Sequence, residues 1–214
     1  MFSSHTRAHI DSPYSYIAGK ARAVCSLREI STETGMNYAV VRPCGIFGDT
    51  PAESILMNNA AYVLRRCPLF LLPGRADGRF QPVHVRDMAA LMSDIGAASV
   101  GTTGEELDAC GPDCPTAYEL FTHLNDNCGG ISVVLPSRLP TDVISQMTKP
   151  IDWLTGDVLL DGDDLDLLDK GITVADDPND PRIKGRRSLF EWVERVGRGL
   201  GEEYVSSVER YYKK

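Results

Sequence analysis

Helix-like and strand-like segments alternate along this chain of 214 residues, and the alternation predicts an α/β fold with a parallel sheet. Residues 16–34 repeat apolar side chains at three- and four-residue steps, which is typical of an amphipathic helix. Residues 38–43 form a short, β-branched apolar run between Gly35 and Pro43, as expected of a buried strand. Further helix-like and strand-like segments alternate after residue 43 at comparable spacing. We therefore expect right-handed crossovers to join the parallel strands.

Local signals predict the remaining elements. Gly35 should end the first helix, and Asp87 should cap a later one. Further helices are expected at about residues 53–66, 88–95 and 116–125 and from Ser188 onward, and further strands at about 82–85, 106–109 and 131–135. Residues 157–180, rich in aspartate and leucine, predict a short helix with an acidic face. The glycines of Gly197-Arg-Gly-Leu-Gly201 fall inside a helical pattern without a preceding strand, which argues against a phosphate-binding loop.

Charge and composition exclude several classes of function. A net charge of -8 argues against a nucleic-acid partner. No apolar run approaches the length of a membrane helix, and the first residues lack the apolar stretch of a signal peptide, so we expect a soluble intracellular protein. The six cysteines lack the spacing of zinc or thioredoxin-type sites and are expected to be reduced thiols. Asp161, Asp163 and Asp164 do not match a calcium loop, so no metal site is predicted.

A tyrosine and a lysine near the chain start form the first candidate site. Tyr16 and Lys20 stand four residues apart on the predicted first helix, so both side chains project from the same face. A nearby cation favours the phenolate form of a tyrosine, which could then exchange a proton with a substrate hydroxyl or carbonyl. An isolated Tyr-x-x-x-Lys is more often a plain surface pair.

The order of several motifs makes this pair more specific. Ser4 precedes it, and the strand end Val41-Arg-Pro43-Cys-Gly45 and the segment Gly78-Arg-Phe-Gln-Pro-Val-His84-Val-Arg-Asp87 follow it. Together they resemble the extended and atypical short-chain dehydrogenase/reductase family, which includes NAD-dependent epimerase/dehydratase-like members. The resemblance implies that residues 1–135 form the second half of a Rossmann-like, doubly wound parallel sheet. Residues 136–214 would form a small, mostly helical, substrate-facing lobe.

The resemblance also implies roles for individual residues. Tyr16 would be the general acid/base, Lys20 would assist it and bond the nicotinamide ribose, and Ser4, or Ser3 in its place, would hold the substrate oxygen. NAD or NADP would lie against Pro43, Gly45 and Ile46, because ligands meet such sheets at the carboxyl ends of their strands. The residues expected near the small-molecule substrate are Arg79, Phe80 and Gln81. His84 and Asp87 are expected to organise a turn and a helix start.

The family's glycine-rich cofactor loop precedes the serine, and this sequence begins close to that serine. We therefore expect the chain alone to bind NAD or NADP weakly or not at all. The exposed strand edge predicts a fragment or truncated gene model, a second polypeptide that supplies the missing half, or a homo-oligomer.

Two functions stay open. One is an NAD(P)-dependent oxidoreductase or epimerase/dehydratase-like enzyme acting on an alcohol or carbonyl, such as a sugar or nucleotide sugar. The other is a noncatalytic scaffold with an assembly or regulatory role.

Overall fold

A computed structural model describes residues 2–3, 9–50, 53–97, 104–140, 143, 144, 146, 173–177, 180 and 183–206. Strand β1 (Phe2–Ser3), helix α1 (Ser15–Thr34) and strand β2 (Ala39–Pro43) form the first crossover, with β1 and β2 parallel. Helix α1 buries Ile17, Ala21 and Val24 at the predicted spacing. It ends at Gly35, whose φ of 71° is a left-handed conformation that glycine adopts without strain.

The largest sheet has the strand order β1-β2-β6, where β6 is Glu105–Ala109, and all three strands are parallel. On one face, Val41 and Ala109 pack against Met88 of helix α3 (Val85–Ala97). On the other face, Glu106 of β6 pairs with Arg28 of α1. Helices therefore cover both faces of this sheet, which confirms the predicted fold class.

Two smaller sheets, each of two parallel strands, complete the described strands. Strand β3 (Ile46–Phe47) pairs with β5 (Val83–His84), and β4 (Leu69–Pro73) pairs with β7 (Val133–Ser137). The sequence analysis missed β3 and β4. Strand β3 has two residues, too few for an alternating pattern, and β4 follows a helix directly in an apolar stretch without a clear break.

Three helices build the main hydrophobic core with the inner face of the β4–β7 sheet. They are α2 (Ile55–Leu64), α4 (Ala117–Cys128) and α5 (Leu189–Val196), followed by a 3-10 turn at Gly197–Gly199. Large side chains that are almost fully buried in this core are Phe47, Leu64, Leu72, Leu120, Phe121, Leu124, Leu189 and Leu200. Because Leu189, Trp192, Val193 and Leu200 belong to this core, folding of the C-terminal segment completes it.

Capping residues fix where α4 and α5 begin. Thr116 and Glu119 form a reciprocal capping box at the start of α4. At the start of α5, Ser188 accepts a hydrogen bond from the N–H of Glu191. Asp113, in the loop after β6, accepts bonds from the Ser188 hydroxyl at 2.7 Å and the Leu189 N–H at 2.6 Å. The loop after β6 therefore holds α5 by its N-terminus.

His84, not Asp87, caps helix α3. The Nδ1 atom of His84 accepts a hydrogen bond from the N–H of Arg86 at 3.1 Å. Asp87 instead faces the C-terminal segment, where it accepts bonds from the N–H groups of Arg186 and Arg187 and from the Arg187 guanidinium. The prediction of an Asp87 cap is wrong because this distant segment supplies three donors.

The glycines of residues 197–201 allow close packing of the C-terminal segment. Gly201 has a φ of 72°, and a methyl group there would overlap the backbone between Ala61 and Tyr62 in α2. A methyl group at Gly197 would lie 3.0 Å from the Cβ of Asn127 in α4. The lack of side chains at Gly197 and Gly201 therefore lets the backbone of the C-terminal segment pack directly against α4 and α2.

Replacing Gly201 with alanine should destabilise the protein by about 1–3 kcal/mol, because a Cβ there both strains a left-handed residue and overlaps α2. Gly199→Ala is the matched control, since a methyl group there meets no atom within 4 Å. The control should change the free energy of unfolding by less than about 1 kcal/mol. Urea unfolding measures both, and equal effects would contradict the packing role of Gly201.

Asp87 should make stability dependent on pH. Burial by itself would raise the pKa of its carboxyl, but the donors from Arg187 and Arg186 outweigh burial and hold that pKa below its usual value. A depressed pKa stabilises the fold above the unfolded value of about 3.9, and this stabilisation is lost as pH falls through the folded pKa. Wild type should exceed Asp87→Asn in stability by about 1–2 kcal/mol at pH 7.

The measurement is urea unfolding of both proteins between pH 3 and pH 8. The gap in unfolding free energy should stay constant from pH 8 to about pH 5 and narrow below about pH 4. A gap that is independent of pH over this range would contradict an electrostatic role for Asp87.

Candidate active site

The carboxyl ends of β1, β2 and β6 lie at one edge of the largest sheet because the three strands are parallel. Helix α1 connects β1 to β2, so it runs back across the sheet and begins at that same edge. Tyr16, the second residue of α1, therefore shares this edge with residues 43–46, which follow β2. The topology brings together the residues that the sequence assigned to proton transfer and to the nicotinamide.

Tyr16 and Lys20 face each other along α1. The Nζ atom of Lys20 lies 5.5 Å from the centre of the Tyr16 ring. The Tyr16 side chain is 65% exposed, whereas Lys20 is half-buried. This arrangement holds an ammonium group beside a phenol that solvent or a ligand can reach.

The predicted serine falls at the boundary of what the structure describes. Ser4 lies outside the described residues. Ser3 is the last residue of β1, and its backbone pairs with Val41 of β2. Ser3, the residue before the predicted Ser4, therefore lies at the carboxyl edge of the largest sheet.

The turn after β2 is fixed by backbone hydrogen bonds on both sides. The N–H of Cys44 donates to the Ala109 carbonyl at 3.0 Å, and the Gly45 carbonyl accepts from the N–H of Val83 at 2.9 Å. Gly45 has a φ of 118°, a conformation that strongly favours glycine. Pro43 is half-buried, and Ile46, the residue after Gly45, is 45% exposed, so the turn offers apolar surface at the edge.

The three residues predicted to lie near the substrate differ in exposure. Arg79 is exposed, and its guanidinium donates to the Cys114 carbonyl at 2.7 Å. Phe80 is 7% exposed and belongs to the main core. Gln81 is 2% exposed, and its carboxamide bonds to backbone groups of Gly111 and Ala175. Arg79 is thus the one of the three that presents its side chain to solvent.

Gly111, which the sequence analysis did not identify, shapes the same edge. It follows β6, and a methyl group on it would overlap the Pro82 carbonyl oxygen. Glycine therefore lets the segment before β5 lie directly on the turn after β6. A glycine shortly after a predicted strand was the available signal, but the partner segment is 30 residues earlier in the sequence.

A charged cluster surrounds Asp49 beyond the turn. Asp49 accepts from His84 Nε2 at 3.2 Å, from Arg86 at 2.7 Å and from Arg195 at 3.1 Å. The hydrogen bond from His84 and the charges of the two arginines lower the pKa of the Asp49 carboxyl. His84 is buried against the edge of the Phe47 ring. Because Nδ1 accepts from backbone, the imidazole proton lies on Nε2, and the cluster joins the turn, α3 and α5.

A cavity of about 280 Å³ lies between α1 and the largest sheet. Its lining combines apolar side chains with charged ones that already form ion pairs, such as Arg28 with Glu106. The lining residues are His9, Ile10, Ala21, Val24, Cys25, Arg28, Arg42 and Glu106. Tyr16 and Lys20 do not line it, so it is separate from the candidate site.

The six cysteines are free thiols. Burial raises the pKa of the Cys110 thiol to about 11, so it stays protonated near neutral pH and is a poor metal ligand or nucleophile. Across the described residues, His, Cys, Asp and Glu side chains form no group of three that could hold a metal ion. No helix in the part of the chain that the structure describes has both the length and the apolar character to cross a membrane.

Comparison with solved structures identifies the fold. A UDP-galactose 4-epimerase structure matches with a TM-score of 0.54 at 13% identity, over 95% of this chain and 63% of that chain. An epimerase from Methanothermobacter thermautotrophicus matches with a TM-score of 0.53 at 14% identity, over 64% of this chain and 46% of that one. The fold is that of part of these epimerases. It is the partial Rossmann-like fold that was predicted from the motifs.

A third similar structure, the UDP-glucose 4-epimerase of Thermotoga maritima with UDP-glucose, has a TM-score of 0.50 at 17% identity. It matches over 64% of this chain and 49% of that one. The chain thus spans about half the length of most of these structures. No protein-family model matches the sequence, and no curated protein matches it. At these identities the comparisons establish the fold, and activity is a separate question.

Proposed function

We propose that this chain is part of an NAD(P)-dependent oxidoreductase or epimerase/dehydratase-like enzyme. The proposal depends chiefly on the exposed Tyr16 phenol, with the Lys20 ammonium 5.5 Å from its ring, at the carboxyl edge of the sheet. A plain surface pair could stand anywhere on α1. This pair stands in the first two turns of α1, at the edge where open α/β sheets bind ligands.

Tyr16 would exchange a proton with a substrate hydroxyl or carbonyl oxygen. The Lys20 ammonium lies 5.5 Å from the centre of the Tyr16 ring, so the pair presents a cation beside the phenol at the same place on α1. Ser4, or Ser3 beside it, would hold the same substrate oxygen by a hydrogen bond. The resulting arrangement accepts a proton when an alcohol is oxidised and returns it when the carbonyl is reduced.

The turn from Pro43 to Ile46 would lie against NAD or NADP. Its residues fit a flat aromatic ring, because Gly45 has no side chain and the neighbouring Ile46 exposes apolar surface. When bound, the nicotinamide supplies the hydride acceptor or donor. Lys20 would also bond the nicotinamide ribose, which would place the ring next to Tyr16.

A nucleotide sugar is the substrate class we propose, because the similar Thermotoga maritima structure contains UDP-glucose. Arg79 has an exposed guanidinium tied to the Cys114 carbonyl, so it presents a positive charge from a fixed base. Residues 1–135 would supply the sheet and the residues that transfer the proton. Residues 136–214 would face the substrate.

A scaffold role is the second candidate. The outer face of the β4–β7 sheet exposes Leu69, Val133 and Leu135, and parallel sheets are usually covered on both faces. Such a surface is typical of protein interaction. It is compatible with catalysis at Tyr16, which lies on α1 and outside this sheet, so the test must be the chemistry of Tyr16.

In the complete enzyme of which we propose this chain is a part, replacing Tyr16 with phenylalanine should lower turnover of a nucleotide-sugar substrate by about 10²- to 10⁴-fold, because it removes the hydroxyl that transfers the proton. Stability should hardly change, since the side chain is exposed. Tyr118→Phe is the matched control, because Tyr118 is another exposed tyrosine near a helix start, in α4. Undiminished turnover in Tyr16→Phe would exclude the proton-transfer role and favour the scaffold.

A further inference from the structure

We infer that Gln81 is a positioning residue for the turn after β2. Its carboxamide would fix the segment Pro82–Val83, which in turn holds Gly45. The inference rests on the proposed function to the extent that this turn is the one assigned to the nicotinamide. The positioning itself depends on bonds among described residues.

Both polar ends of the Gln81 side chain bond to backbone. Nε2 donates to the Gly111 carbonyl at 3.2 Å, and Oε1 accepts from the N–H of Ala175 at 3.3 Å. With 2% of its surface exposed, the residue presents almost nothing to a ligand. Buried polar groups need hydrogen-bond partners, and this carboxamide finds both of its partners in the backbone. It therefore joins the chain segments that contain Gly111 and Ala175.

The Gln81 backbone strengthens the same junction. Its N–H donates to the Thr173 carbonyl at 3.0 Å, and its carbonyl accepts from the N–H of Gly111 at 3.4 Å. Gln81 therefore links three segments that are distant in sequence: the strand β5 region, the turn after β6 and residues 173–175. The carboxamide has both N–H donors and an acceptor oxygen, so it satisfies the Gly111 carbonyl and the Ala175 N–H at once.

The next two residues carry this restraint to the candidate site. Pro82 lies between the turn that contains Gly45 and the turn that contains Gly111. Its carbonyl approaches Gly111, and its Cβ would be 3.5 Å from a methyl group on Gly45. The Val83 N–H then donates to the Gly45 carbonyl. A shift of Gln81 would therefore move Pro82 and release the Gly45 turn.

Gln81→Met tests this inference, because methionine has similar length and can neither donate to Gly111 nor accept from Ala175 as the carboxamide does. Amide hydrogen exchange is measured without ligand. The N–H groups of Val83 and Cys44, which bond to Gly45 and Ala109, should exchange about tenfold faster than in wild type.

Asn127→Ala is the control, since it removes a comparable carboxamide bond, to the His123 carbonyl at 2.8 Å within α4. In Asn127→Ala, the amides of Val83 and Cys44 should exchange at the wild-type rate. A folded Gln81→Met protein with wild-type exchange at both amides would overturn the inference.

If Gln81→Met does not fold, Gln81→Glu decides the question. A protonated glutamic acid both donates and accepts, as glutamine does, whereas the carboxylate cannot donate to Gly111. Protection of the Val83 amide, corrected for intrinsic exchange, should therefore recover as pH falls from 8 to 5. Protection equal to wild type at every pH would overturn the inference.

Titration with NADH separates this inference from the proposed function. Gln81→Met should weaken NADH binding by about tenfold if the Gly45 turn contacts the nicotinamide. Faster exchange together with NADH binding equal to that of wild type would contradict the assignment of this turn to the nicotinamide and still support the positioning role.

Discussion

The parallel pairing of β2 with β6 is the constraint on which the candidate site depends. All five residues of β2 pair in register with the five of β6, from Ala39 with Glu105 to Pro43 with Ala109. Both strands therefore end at the same level, and the turns that follow them lie side by side. A slip of one residue would turn Val41 away from the α3 core and move both turns, so the buried apolar face maintains the site geometry.

Backbone contacts, rather than a pocket of large side chains, organise the edge where the turns meet. Gly111 allows the Pro82 carbonyl to approach closely, and Gly45 adopts a φ that other residues avoid. The C-terminal segment is held in a similar way, by Asp87 and Asp113 at its start and by Gly201 against α2 at its end. This segment closes the main core, so residues 189–200 stabilise a core whose other members begin at Phe47.

Local patterns in the sequence predicted the helices and the strands β2, β6 and β7 well. Helix α1 and its Gly35 end, strand β2, and the starts of α4 and α5 agree within one or two residues, because each has a local signal in periodicity or capping. Strands β3 and β4 and the division into three sheets were missed, because pairing partners are set by tertiary contacts. For the site, the shared edge of Tyr16 and Gly45 followed from parallel topology. The burial of Gln81 could not be predicted, since its partners Gly111 and Ala175 are 30 and 94 residues away.

The central claim is that the carboxyl edge of the sheet is where the nicotinamide binds. The most direct measurement is the change in backbone amide chemical shifts on titration with NADPH or NADH at millimolar concentration, where weak binding is still visible. Shift changes concentrated at Tyr16, Gly45 and Ile46 are the result this account predicts. Changes confined to the cavity between α1 and the sheet, at Cys25 and Glu106, would contradict it.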